Sequence, residues 1–205
     1  VTPGDWRTYE QDDLSGILEA ALGCFVAQGY HGTSIREIAT RAGLSVPGLY
    51  HHFPSKQAML VAVMQHAMAD LWWRSEAAAA GTGPGSWDQL AAQVECLVLF
   101  HCRRQDLAFI AWSEIRSLTP EHRSEHIARR DRQQRVLDRI VEQGVADGTL
   151  RAARPREASR AVTTLCTAVA QWYREDGPLT PEELAAEYVA LAGAMLGHEV
   201  PVRHV

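Results

Sequence analysis

Residues 33–56 read TSIREIATRAGLSVPGLYHHFPSK, and the order of caps and breakers in this stretch decides the fold. Ser34 and Glu37 form a capping box: the serine oxygen accepts the Glu37 amide and the glutamate reaches back to the Ser34 amide. Ile35, Ile38, Ala39 and Ala42 follow at helical spacing and give one short apolar face. Gly43 supplies the left-handed residue that ends this helix. Leu44 turns the chain inward, Ser45 caps a second helix, and Pro47 sits in its first turn. Leu49 and Phe53 point back at the first helix, and Pro54 stops the second. Helices of about seven to nine residues do not persist alone. They need a shared core, and a short Gly-containing turn between two such helices makes a helix-turn-helix.

The outer face of the second helix is the informative one. Val46, Pro47, Gly48, Tyr50 and His51 are small, aromatic or neutral, and no acidic residue lies between Ala42 and Ser55. Such a face can approach a polyanion closely. Lys56 follows the next N-cap, Ser55. A lysine at a helix N-terminus opposes the macrodipole. A phosphate at that point would account for it; the alternative is a solvated lysine.

The stretch resembles the DNA-binding segment of the Tet-repressor (TetR) family of transcriptional regulators. The matching residues are Thr33, Ile38-Ala39, Gly43, Ser45, Leu49-Tyr50, His52-Phe53 and Ser55-Lys56. With the preceding helix, the likeness covers roughly the first third of the chain. It implies an all-α homodimer with an N-terminal reading head and a divergent C-terminal effector domain. It also implies that Arg36 aligns with a base-reading arginine and Pro47 with a residue touching a thymine methyl. Val46 and Gly48 stand where relatives carry glutamine and threonine. The expected DNA-binding set is Thr33, Ser34, Arg36, Ser45, Val46, Pro47, Gly48, Tyr50, His51, His52 and Lys56.

Composition is compatible with this reading without advertising it. The chain has 205 residues and a formal net charge of −5. A basic patch on one face can coexist with an acidic body. No apolar run reaches about 18 residues, so no membrane span is expected, and the N-terminus has no signal-peptide order. Cys24, Cys96, Cys102 and Cys166 lie far apart and read as free thiols of a reducing cytoplasm.

About nine helices are expected. Residues 1–11 are polar, read as loose, and lack a basic arm. Leu14, Ile17, Leu18, Ala21, Leu22 and Phe25 make a helical stripe ending at Gly29, the third wall of the head. A long helix starts at Ser55 and carries Met59, Leu60, Val63 and Ala67 inside. Further helices are expected from Ser86, from about Gln105 to Ser117, from Thr119-Pro120-Glu121, from Pro155 and from Thr180-Pro181. This divides the chain into a helix-turn-helix domain, residues 1–54, and an effector-binding and dimerisation domain, residues 55–205. Ala161, Leu165 and Val169 with Leu184, Tyr188 and Leu191 are the expected dimer face.

Two other constellations carry chemistry. His122-Arg-Ser-Glu125-His126 matches the H-x-x-E-H pattern, in which two histidines bind zinc and the glutamate is the general base. A zinc-dependent hydrolase is therefore the alternative function. Counting back from Leu137 by helical steps places Gln134 and Arg130 on an apolar face. A buried arginine needs a partner, either a carboxylate such as Glu114 or an anionic ligand.

Trp72, Trp73, Phe100, Phe109, Trp112 and Trp172 supply aromatic material for an effector pocket with Arg130 and Gln134. Residues 130–134, 171–174 and 176–180 resemble, within the same family, regulators of fatty-acid and steroid-ring catabolism. That likeness implies an acyl-CoA or steroid-acid CoA thioester as effector. No cofactor is implied. The expected partners are double-stranded operator DNA, the effector and a second copy of the chain.

Overall fold

Punctuation residues set the ends of nearly every helix. The computed structural model describes residues 5–9 and 14–198. The helices are α1 (Gly16–Gly32), α2 (Ile35–Arg41), α3 (Val46–His52), α4 (Lys56–Ala80), α5 (Ser86–Arg103), α6 (Gln105–Ser113), α7 (Pro120–Ala146), α8 (Pro155–Trp172) and α9 (Pro181–Met195). No strand occurs among the described residues. The capping box at Ser34 is formed in both directions, and Thr180 and Glu183 form a second one at α9. Gly43 takes φ 68° after α2 and Gly148 takes φ 80° after α7, the left-handed conformation that closes helices. The helix expected over 105–117 ends at Ser113, and Glu114–Ser117 tighten into a 3-10 turn.

The chain divides into two compact units. One contains Glu10–Asp70 and Arg104–Arg130; the other contains Val1–Tyr9, Leu71–Arg103 and Asp131–Val205. The long helices α4 and α7 each contribute to both.

In the first unit α1, α2 and α3 close over the N-terminal half of α4 and over α6. Ala21, Phe25, Ile38, Leu49, Met59, Leu60, Val63, Met64 and Ile110 are buried in one cluster. Each fully buried Leu, Ile, Phe or Met contributes about 1.5–3 kcal/mol, which holds α2 and α3 although neither has the length to stand alone. Gly23 lets the Arg41 guanidinium lie across α1, since a Cβ there would stand 2.5 Å from Arg41 Nη2.

In the second unit α5 is buried on nearly all sides, packing against α8 and α9. Its interior holds a polar node. Ser75 Oγ donates to Gln93 Oε1 (2.6 Å), Gln93 Nε2 donates to the Ser75 carbonyl (2.8 Å), and Gln133 Nε2 donates to Ser75 Oγ (2.9 Å).

The N-terminal segment departs from the sequence reading. Among residues 5–9, expected to be loose, Trp6 is buried. Arg74 of α4 donates to the Trp6 and Thr8 carbonyls at 2.6 and 3.0 Å. Arg7 binds Glu95 of α5 with two hydrogen bonds, 2.6 and 2.8 Å. The anchors lie 66–88 residues away in sequence, so local polarity hid them. The acidic residues Glu10, Asp12 and Asp13 lie outside the described residues.

His101 of α5 is buried, with Nδ1–H donating to the Leu97 carbonyl at 2.7 Å. Burial pushes its pKa down from 6.5 to about 4, against the opposing effect of that hydrogen bond. The unfolded chain therefore binds more protons than the folded one between those values. The stability His101 contributes is complete above pH 6.5 and is lost as pH falls toward 4. Burial lowers the His126 pKa as well, so both act in the same direction. Thermal melts of wild type should shift down between about pH 7 and about pH 5. The shift should be smaller in His101→Leu; equal shifts would remove His101 from the account.

Candidate functional site

The turn between α1 and α2 determines where the reading residues stand. Gly29 has φ 73° and breaks the last turn of α1. The peptide units beyond it are then held from outside. Tyr30 N–H donates to Glu114 Oε1 at 3.1 Å. Lys56 Nζ donates to the Tyr30 and Thr33 carbonyls, both at 2.6 Å, and lies 4.3 Å from the centre of the Tyr30 ring. Tyr30 Oη donates to Gln57 Oε1 at 2.9 Å. Thr33 Oγ1 lies 2.8 Å from the Gly29 carbonyl and 3.1 Å from that of Cys24. Lys56 thus neutralises the negative end of α1, which accounts for a lysine in the first turn of α4 without any ligand. The sequence signal for this, Tyr30 and Thr33 ahead of a lone lysine, requires the tertiary fold to be read.

The expected DNA-binding residues separate into two groups. Ser34, Arg36, Ser45, Pro47, Tyr50, His51 and His52 are exposed; Val46 and Gly48 are half-buried. They lie on α2, α3 and their N-caps. Thr33 is 2% exposed and Lys56 is half-buried, and both are engaged in the clasp. Ser45 Oγ accepts the Gly48 amide at 3.1 Å, and so fixes the start of α3. The face of α3 carries no acidic side chain. Its aromatic and imidazole groups can reach base edges or phosphates in a major groove.

The residues of the H-x-x-E-H pattern do not form a metal site. His126 is buried, and its Nε2–H donates to the Ala111 carbonyl at 2.9 Å. His122 Nδ1 pairs with Thr119 Oγ1 at 2.9 Å. Among the described residues no group of three His, Cys, Asp or Glu is placed to hold a metal ion. With Val61, Met64, Gln65, Leu118 and Arg129, the three residues line one open surface groove.

The effector candidates are distributed over both units. Phe109 packs against the core of the head unit, and Trp112 is 51% exposed. Phe100 is fully buried, Trp72 and Gln134 are half-buried, and Trp73 and Trp172 are exposed. The expected burial of Arg130 is corrected: Arg130 is exposed, and Gln133 occupies the inner face in its place. Steps of four and of three back from Leu137 lead to different residues, and α7 uses the step of four. Glu114, a nominated partner for Arg130, is engaged by Tyr30 and Ser117. Two features were missed by sequence. Arg132 stacks 3.7 Å over Trp72, and Gln133 Oε1 is buried without a hydrogen-bond partner.

Comparison with known proteins finds two family models on the chain. The family model described as bacterial regulatory proteins, tetR family, matches residues 17–63. The model described as tetracyclin repressor-like, C-terminal domain, matches residues 83–196. The chain belongs to the TetR family. It is a DNA-binding transcriptional regulator.

Among its relatives is the HTH-type transcriptional repressor KstR2 of Rhodococcus jostii RHA1, 28% identical over 194 residues, covering 88% of this chain and 92% of the relative. A tetR-family regulatory protein from Rhodococcus RHA1 superposes with a TM-score of 0.83 at 30% identity, over 91% of this chain and 97% of the other. AibR, solved in complex with isovaleryl coenzyme A and operator DNA, superposes with a TM-score of 0.78 at 28% identity, over 85% and 95%. No helix among the described residues of this TetR-family chain is long and apolar enough to cross a membrane.

The clasp makes Lys56 a stability residue. Lys56→Met removes both bonds from a half-buried site, where water replaces part of what is lost. Urea unfolding of the variant should show a loss of about 1–3 kcal/mol. A loss within error would mean that the lysine is merely solvated.

Proposed function

We propose that this TetR-family chain is a homodimeric repressor that binds a pseudo-palindromic operator and is released by a small-molecule effector, a CoA thioester. The observation that carries the reading is the exposed, acid-free face of α3, capped by Ser45 and set against α2. Residues 1–54 serve as the reading domain and residues 55–205 as the effector and dimerisation domain. Arg36, exposed in the first turn of α2, is the base reader. Val46 and Gly48 offer no side-chain hydrogen bond, so methyl contact from Pro47 and DNA shape supply the rest of the specificity.

Dimerisation is assigned to α8 and α9. Ala161, Leu165 and Trp172 are exposed along one stripe of α8, and Leu191 and Met195 along α9. Such outward apolar side chains mark an interaction face. Val169 and Leu184, expected there from sequence, are buried in the protomer's own core and support the face from behind. A two-fold dimer reads two half-sites about one helical turn apart.

The thioester is supported by AibR, whose structure holds isovaleryl coenzyme A with operator DNA. It is also supported by the aromatic–arginine pair of Trp72 and Arg132, which suits an acyl body beside an anionic group. Helix α4 carries Lys56 at one end and Trp72 further along. A ligand that displaces its C-terminal part tilts the helix and changes the spacing of the two reading heads. Coupling of this kind is about 1–3 kcal/mol and acts equally in both directions.

Footprinting on DNA flanking the gene, with and without isovaleryl-CoA and longer thioesters, tests the function. Protection of a palindrome that a thioester removes is expected; no protected site would overturn the proposal. Arg36→Ala should reduce discrimination between cognate and random DNA by about 1–3 kcal/mol, read by paired binding titrations. Equal losses on both DNAs would exclude base reading. Leu165→Arg should sediment as a folded monomer with weakened operator binding, and a tight dimer would reject the α8 face.

A further inference from the structure

The acidic side chain that holds the α1–α2 turn comes from the other family domain. Glu114 lies within the match to the C-terminal domain, residues 83–196, and Tyr30 within the match to the tetR segment, residues 17–63. Both belong to the same compact unit. Gly29, at φ 73°, turns the chain so that a Cβ there would stand 3.5 Å from Glu114 Oε1, and Tyr30 N–H donates to that oxygen at 3.1 Å. The other carboxylate oxygen accepts from Ser117 Oγ at 2.5 Å. Glu114 is thereby fixed by its own 3-10 turn before it reaches Tyr30. The Tyr30 carbonyl is held by Lys56 of α4 at 2.6 Å. One residue of the head is therefore gripped on its amide from the segment after α6 and on its carbonyl from α4. Four residues later comes Ser34, the N-cap of the helix that carries Arg36.

From this arrangement we infer that Glu114 is a positioning residue for operator binding: it holds the α1–α2 turn in the register that aims α2, and with it Arg36, at the bases. It makes no contact with DNA itself. Movement of the Glu114–Ser117 turn withdraws an acceptor from the Tyr30 amide, which gives the C-terminal domain a handle on the head separate from α4. The inference rests on the operator-binding reading above.

The test uses Glu114→Ala, Glu114→Gln and Ser117→Ala in the full chain, with operator titration and hydrogen exchange as readouts. Glu114→Ala should weaken cognate operator binding about tenfold, the scale of one hydrogen bond to a charged group, and leave random DNA within about twofold. The amides of Tyr30 to Ile35 should exchange faster in the free protein. Glu114→Gln keeps an acceptor and should restore both readouts toward wild type. Ser117→Ala, which loosens the carboxylate and also removes the 3.4 Å contact of Ser117 Oγ with His31 Nε2, should fall between and serves if Glu114→Ala does not fold. Wild-type exchange and affinity in Glu114→Ala overturn the inference. So does an equal loss on cognate and random DNA that glutamine fails to rescue. If wild type binds no operator, the functional reading fails instead, and exchange at Tyr30 still decides whether Glu114 holds the turn.

Discussion

A single residue of backbone, Tyr30, ties the two short helices α2 and α3 to the segments that hold them. Gly29 breaks α1 ahead of it, and its amide and carbonyl are taken by Glu114 and Lys56. Unpaired backbone groups at a buried helix end would cost about 1–3 kcal/mol each. The clasp removes that cost and fixes the direction in which the chain enters Ser34. Helices α2 and α3, at seven residues each, have no independent stability. Their orientation derives from this turn and from burial of Ile38 and Leu49 against α4. Specific reading of DNA requires reading side chains held to a fraction of an ångström, and on the inference drawn above the clasp supplies that precision.

Much of the architecture was legible because helix ends are local. Ser34, Gly43, Ser45, Thr180 and Pro181 mark their boundaries with side-chain chemistry that neighbouring residues complete. The head was legible for the same reason, since its apolar positions recur within a few residues of each other. What sequence could not supply was the identity of distant partners. Lys56 looked like an anion-binding residue because only its own helix was visible; its carbonyl acceptors lie 23 and 26 residues earlier. Thr33 matches the family pattern and reads from sequence as a DNA contact, yet its hydroxyl faces the carbonyls of α1. Trp6 and Arg7 sat in an acidic stretch and looked unanchored until Arg74 and Glu95 reached them. On α7 the ambiguity was one of register. Gln133 and Gln134 both lie within one turn of Leu137, and no local rule distinguishes a step of four from a step of three.

The body shows why the effector side was harder to read than the head. Over four consecutive residues α4 changes partner at each position: Trp72 meets Arg132, Trp73 is exposed, Arg74 clamps residues 6 and 8, and Ser75 joins Gln93 and Gln133. The node has one consistent pattern of protons. The Ser75 carbonyl can only accept, so Gln93 presents its amide N–H there and its oxygen to the serine hydroxyl. The serine oxygen then accepts from Gln133, whose own oxygen is left unpaired. A buried network of this kind specifies one helix register, and any change at one member is felt by the others. Sequence periodicity marks these residues only as polar interruptions in apolar helices.

Lys56 and Glu114 are inferred to act on operator binding through the same residue, Tyr30. A double-mutant cycle with Lys56→Met and Glu114→Ala, measured by operator titration, addresses it directly. Groups that hold one turn together should be non-additive by about 0.5–3 kcal/mol, with the double variant weakened by less than the sum of the singles. Additive losses, within about 0.5 kcal/mol, would mean that the two side chains act independently and that the clasp is not the element positioning the head.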